Sequence, residues 1–216
     1  MRRLFACNVN NVQMPRARTP ARDTYHHGDL RRALITATVA LLADGHPEPS
    51  LREVAKRARV SMGAPYHHFS SKDALLAAVG CEGFAALEAA LAEAVTGRTP
   101  AERLRRRCMT YVRFAAAHPD HYRMMFRSSL MHEPTSQLRA VAAAAFGRLV
   151  AAIAEVRADL PGAVVHELAL MTWSMAHGLV QLWNDGVLAE EEGGLERLAT
   201  SYARRTLDLV EHAQTS

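Results

Sequence analysis

The sequence predicts an all-α protein of about nine helices, a small N-terminal bundle feeding a larger one. Three observations carry that expectation. Ala occupies 39 of 216 positions while aromatic residues make up only 6%, a bias toward the strongest helix former and away from residues that favour strands. Pro and Gly number 9 and 12, sparse for a turn-rich sandwich or barrel. Apolar residues also recur at three- and four-residue spacing in one segment after another, with no alternating run among them. At 49% apolar and 22% charged, the chain can bury a core and is not disordered as a whole.

The elements follow in order. Residues 1–22 lack helical periodicity and hold five Arg with Pro15 and Pro20, which reads as a flexible basic arm. Three of the four Asn in the chain precede Met14, a shift in composition that makes Met14 a candidate initiator. Leu30, Leu34, Ala37, Leu41 and Leu42 mark a helix over 28–44, stopped by Gly45 and Pro47. Ser50 and Glu53 form a capping box that opens a short helix through about Ala58. After a tight turn at Arg59 and Val60, Ser61 is expected to cap a second short helix ending near Phe69. Ser70, Ser71, Lys72 and Asp73 open a longer helix with the apolar face Leu75, Leu76, Val79, Phe84, Leu87 and Leu91, ended by Gly97 and Pro100. Five further helices are expected at roughly 100–117, 119–127, 134–158, 161–184 and 194–213, four of them with Pro at or near the first position, where a missing N–H costs nothing.

Charge is unevenly placed. The formal net charge is +4, but residues 1–80 carry 12 Lys or Arg against 6 Asp or Glu, and residues 81–216 carry 14 against 16. A basic N-terminal third on a mildly acidic body outlines a nucleic-acid reader joined to another unit; chance asymmetry of a surface gives the same outline. The three Cys cannot form a paired framework and lack CxxC spacing, which fits a reducing compartment. No run of 18 uncharged apolar residues marks a membrane span, and no secretory leader is legible, so a cytoplasmic protein without a membrane partner is expected. There is no HExxH, Cys–His cluster or Gly-rich phosphate loop. The expectation is therefore no catalytic residue, no metal and no cofactor, in a protein that is not an enzyme.

Residues 50–69 have the length and layout of a helix-turn-helix. Leu51, Val54 and Ala55 give the first helix a buried face, Val60 plugs the turn, and the segment from Ser61 to His68 is left for the major groove. The wording is more specific than the spacing. YHHGDLRRALITATVALLADGHPEPSLREVAKRARVSMGAPYHHFSSKDALLAAV, residues 25–79, resembles the TetR/AcrR family of bacterial transcriptional regulators, above all in the Gly63–Phe69 run followed by Ser71, Lys72 and Asp73. Further on, His118–Phe126 and the stretch from Trp173 to His177 and Gly178 resemble the subgroup with a C-terminal Trp…His-Gly signature. The resemblance implies a homodimer with a DNA-reading head (residues 23–72) and a ligand-sensing, dimerising body (residues 73–216).

Carried over by position, Ser61, Met62, Gly63 and Ala64 would face base edges, Tyr66, His67 and Lys72 would meet phosphates, and Ser50 would lie beside another. His68 and Phe69 are expected to pack the head instead. Two departures stand out. Arg59 occupies a place where the family usually has Gly, which implies a left-handed residue with a side chain that could reach a phosphate. Pro65 lies inside the recognition segment, removing an N–H and disfavouring helical geometry at Ala64. The segment also lacks Arg, Lys, Asn and Gln, the usual bidentate base readers, so specificity would rest on Ser61, apolar contacts, phosphate register and DNA shape.

The body concentrates large adaptable side chains suited to a pocket for an apolar or amphipathic effector. Met109, Phe114, Tyr122, Met125, Phe126, Met171, Trp173, Met175 and His177 are the candidate lining. Gly178, Leu182, Leu198, Tyr202 and Leu209, on the last two helices, are the candidate dimer interface. The expected function is a regulator of a palindromic double-stranded DNA operator, a repressor released by a small molecule. An activator or ligand-independent regulator of the same fold is the alternative, and a helical binding protein or enzyme without a DNA role is the remote one.

Overall fold

A computed structural model describes residues 27–94, 99–132, 134–188 and 193–214. The basic arm over 1–22, and with it Met14, lies outside the described residues. Among the described residues there are nine α-helices, one 3-10 turn and no strand. The helices are α1 (His27–Ala43), α2 (Leu51–Arg57), α3 (Lys72–Glu93), α4 (Pro100–Ala117), α5 (Pro119–Met125), α6 (Ser128–His132), α7 (Ser136–Val156), α8 (Gly162–Asn184) and α9 (Gly194–Glu211), with the 3-10 turn (Ala64–His67) between α2 and α3.

Local chemistry sets most of the boundaries. Gly45, at φ +84°, ends α1, with its N–H on Leu42 O and that of His46 on Leu41 O, the two reverse bonds of a Schellman end. Ser50 and Glu53 form the expected capping box on α2, and Thr99 with Glu102 forms another on α4. Ser71 Oγ accepts from Ala74 N–H at 3.0 Å to start α3. Arg157 Nη1 donates to the carbonyls of Val210, Glu211 and Ala213 at 2.9–3.0 Å, satisfying the last turn of α9 with a cation where the helix dipole favours one.

α3 is the axis of the molecule. Its length and mean hydropathy of 1.6 would let it cross a membrane, but 56% of that stretch is buried inside the fold, as befits a core helix. Near its start it packs against α1, with Leu75, Leu76 and Val79 buried beside Leu34 and Leu42. Farther along it meets α5 and α7. There Gly80 and Gly83 permit a close crossing: a Cβ at Gly80 would stand 3.0 Å from the Met124 carbonyl, and one at Gly83 2.9 Å from the Met125 side chain. α4, α8 and α9 complete the body around Leu104, Val112, Val165, Val180 and Val210.

Three expectations are corrected. The recognition segment is not an α-helix over 61–68; only Ala64–His67 coil, as a 3-10 turn capped by Gly63. Pro65 at its start has no N–H to extend an α-helix, and Ser61 contributes its carbonyl to Ala64 N–H at 3.0 Å rather than a side-chain cap. The helix after Pro119 stops at Met125, and a separate five-residue α6 follows it. α7 starts at Ser136, where Thr135 Oγ1 accepts from Leu138 N–H, rather than at Pro134.

Candidate nucleic-acid interface and body cavity

The head exposes the side chains that its sequence set aside. Ser61, Met62, Gly63, Tyr66 and His67 are all exposed. Met62 and Tyr66, at 55% and 61%, are among the most exposed large hydrophobic residues described, although a small domain gains by burying such groups. A Cβ at Gly63 would meet no heavy atom within 4 Å, so a flat surface could approach its backbone closely. Ala64 does not belong to that face. It is buried at 8% exposure, at the first position of the 3-10 turn. Phe69 is buried with Arg31 stacked 5.5 Å above its ring, and His68 is half-buried, as expected of packing residues.

Arg59 is the one non-glycine residue with positive φ (57°) among those described. Arg59 N–H bonds Lys56 O and Val60 N–H bonds Ala55 O, so Arg59 holds the left-handed place of a Schellman end and its side chain is exposed. The Ser50 hydroxyl is already engaged by Glu53, donating to Oε2 at 2.7 Å. Lys72 is half-buried, and its Nζ donates to Glu48 Oε2 at 3.0 Å.

Glu48 joins the head to the body. It accepts from Lys72 and from Arg127 together, and Arg127 Nη1 also donates to Pro47 O at 3.1 Å. The Lys72 and Arg127 hydrogen bonds hold the Glu48 carboxyl below the usual carboxylate range. Arg127 directly follows Phe126, a cavity-lining residue.

That cavity, about 420 Å³, lies between α3, α4, α7 and α8. Leu87 and Leu91 of α3, Tyr111 of α4, Ala142, Phe146 and Leu149 of α7, and Trp173 and Ala176 of α8 form most of its wall, with Phe126, Met131 and Tyr202. Its charged groups are Glu88 and Arg148, which pair with each other, and Arg107. Behind Phe126 and Trp173 runs a polar chain, with Tyr111 Oη 3.1 Å from Tyr122 Oη and Tyr122 Oη 2.7 Å from His177 Nδ1. Burial pushes the Tyr111 hydroxyl up to about 12 and the Cys108 thiol up to about 11, so neither ionises near neutral pH and Cys108 is an inert core residue.

Of the nine expected lining residues, Phe126 and Trp173 line the cavity. Phe114, Tyr122 and Met125 are buried in the core, Met109 packs partly buried against it, and His177 sits behind Trp173 at 5.9 Å between rings. Met171 and Met175 project outward instead, 51% and 40% exposed. Of the expected interface residues, Gly178 and Leu182 are exposed on α8, while Leu198 and Leu209 are half-buried. Tyr202 is buried at the cavity wall, its hydroxyl donating to Thr172 O at 3.1 Å. Two signals in the sequence could have found more of the wall. Ala142, Ala145, Phe146 and Leu149 lie on one face of α7, and three consecutive Arg at 105–107 sweep about 200° of α4, which brings the outer members of the run close to the edge of its apolar face. Among the described residues no group of three His, Cys, Asp or Glu could hold a metal.

Residues 34–79 match the family model described as bacterial regulatory proteins, tetR family, and residues 104–206 match one described as tetracyclin repressor-like, C-terminal domain. The chain is similar to the HTH-type transcriptional regulator BetI of Burkholderia mallei, 34% identical over 170 residues that make up 76% of this chain and 85% of BetI. Among solved structures it resembles a Rhodococcus sp. RHA1 protein of unknown function, at 30% identity and a TM-score of 0.73 over 86% of this chain and 97% of that one. It shares its fold with the TetR family regulator PfmR of Thermus thermophilus, at 20% identity and a TM-score of 0.61, over 86% of this chain and all (100%) of PfmR.

Proposed function

The chain belongs to the tetR family of bacterial regulatory proteins, a DNA-binding transcriptional regulator, and from that premise we propose a cytoplasmic homodimeric repressor released from a palindromic operator by a small molecule in the body cavity. Residues 23–72 serve as the reading head, with 73–216 as the sensing and dimerising body. Ser61, Met62 and Gly63 face the groove, Tyr66, His67, Lys72 and Arg59 meet phosphates, and the Ser50 end of α2 lies beside another phosphate. The Met171, Met175, Gly178 and Leu182 face of α8 meets the same face of a second copy.

The observation that carries this reading is the continuity from Phe126 through Arg127 and Glu48 to Lys72. A ligand that pushes Phe126 moves the end of α5, and Arg127 pulls on the loop before α2 with it. Both recognition turns of the dimer then leave the spacing of roughly 34 Å that one turn of duplex demands. For a full switch the ligand must favour the released state by about 5.5 kcal/mol.

The test is a band shift on DNA flanking the protein's own gene, repeated across salt concentrations. Lys72→Ala is expected to weaken binding about equally for all sequences and to lower the salt slope by about 1 per bound subunit. Met62→Ala is expected to change base preference with the slope nearly intact. An unaltered slope for Lys72→Ala would leave Lys72 as a partner of Glu48 alone. If neither substitution touches DNA binding in folded protein, the interface lies elsewhere. Ligand titration of operator affinity separates release from activation or indifference to ligand.

A further inference from the structure

We infer that the body cavity takes an amphipathic carboxylate, its apolar chain against the α3–α7–α8 wall and its carboxylate on Arg107. The inference rests on reading this cavity as the effector site and adds the chemical class of the effector. Three observations support it. The wall is largely aliphatic and aromatic, with Leu87, Leu91, Phe126, Phe146, Leu149 and Trp173 exposing carbon to the cavity, so the body of the ligand must be apolar. Two guanidinium groups and one carboxylate share the lining, and Arg148 pairs with Glu88, which leaves the Arg107 cation as the unbalanced charge. Arg107 Nε is buried and has no protein acceptor among the described residues.

A cation on an apolar wall with an unsatisfied donor is costly unless something answers it. No described protein group answers its Nε. A quaternary ammonium headgroup supplies no acceptor, and an alcohol supplies one neutral oxygen that leaves the charge of Arg107 unanswered. A carboxylate supplies two acceptors, in the planar fork geometry that a guanidinium matches.

The test uses the full chain and dodecanoate, with dodecanol and dodecyltrimethylammonium as headgroup controls. Binding is followed by calorimetry and by tryptophan fluorescence, to which Trp173 on the cavity wall contributes, below the concentrations at which these amphiphiles self-associate. Dodecanoate is expected to bind about 10- to 150-fold more tightly than dodecanol, the range for a hydrogen bond to a charged partner. Arg107→Met should erase that preference while dodecanol still binds, which also reports that the cavity has kept its shape. Arg107→Lys should retain part of it, since the charge remains but the fork is lost. Equal affinity for acid and alcohol, tighter binding of the cation, no binding of any of the three, or a preference that survives in Arg107→Met would each overturn the inference. A band shift on the same samples keeps the two readings apart. Preferential dodecanoate binding with unchanged operator affinity leaves the ligand class standing and removes the release mechanism. DNA release by dodecanol, with no preference for the acid, does the reverse.

Discussion

Arg59 turns the chain at φ 57°, where a side chain costs on the order of 1 kcal/mol relative to glycine. The exposed guanidinium has no packing role that would offset this cost, so its return is expected on DNA. Arg59→Gly should raise the melting temperature by about 2–4 °C while lowering operator affinity and reducing the salt slope by about 1 per subunit. A more stable protein with unchanged DNA affinity would show that the arginine is merely tolerated at the turn. This position was legible through the family resemblance, because Arg59 stands where the family usually has Gly, in the tight turn before the half-buried Val60. Ala64 was not legible. On an α-helix begun at Ser61 it would share a face with Ser61, and only the 3-10 coiling that Pro65 imposes turns it inward. The inward Arg107 was hidden for a related reason: composition shows three consecutive arginines, but which of them faces the core depends on the rotation of α4 against α7 and α8.

Where α5 meets α8, a titrating ring lies inside an aromatic cluster. His177 is stacked among Tyr122, Phe126 and Trp173, with ring centroids 4.9–5.9 Å apart, and burial holds its pKa below the usual 6.5. The unfolded chain therefore takes up this proton first as pH falls. The contribution of a neutral His177 is fully present above about pH 6.5 and is lost through the window beneath it, down to the depressed folded value. His177→Phe should be less stable at pH 7.5 by about 0.5–1.5 kcal/mol, through loss of the Tyr122 hydrogen bond, yet lose less stability on acidification to pH 5. Melting curves across that range are the check. Some slope should remain because burial also depresses His121. Identical slopes for the variant and the parent would mean that His177 is hydrated in the folded protein. The helices that meet here were legible from Pro119, the run of buried Met and the long apolar period of α8. The short α6 was not, since five residues hold too little period to read, and its first turn depends on Leu130 and Met131 N–H groups reaching the Arg127 carbonyl.

At the scale of the whole molecule, one chain leaves an apolar face without a cover. Leu170, Met171, Met175 and Leu182 are 40–51% exposed along α8, and Gly178 between them has nothing within 4 Å of where a Cβ would stand. A stripe of this kind on a soluble helix marks an interaction surface, and a glycine at its centre lets a second backbone approach closely. From the sequence, the expected dimer contact falls on both α8 and α9; in the single chain Tyr202 is buried and Leu198 and Leu209 are half-buried on α9, which packs on α4 and α8, so the exposed apolar stripe lies on α8. The full wall of the cavity could not be read from sequence, because it joins residues from Phe84 to Tyr202 that no local period connects. The dimer reading predicts that Leu182→Glu, a change on an already exposed side chain, alters monomer stability by less than about 0.5 kcal/mol. Across a symmetric interface, however, it sets two carboxylates against each other on an apolar surface, where like charges are strongly disfavoured. Sedimentation should then report a monomer at concentrations where the parent is a dimer. Operator affinity should fall by about 100-fold or more, since each head would bind its half-site without the effective concentration that the other supplies. A Leu182→Glu protein that sediments as a dimer and binds the operator like the parent would place the interface on another face, and the α8 stripe would then need a different partner.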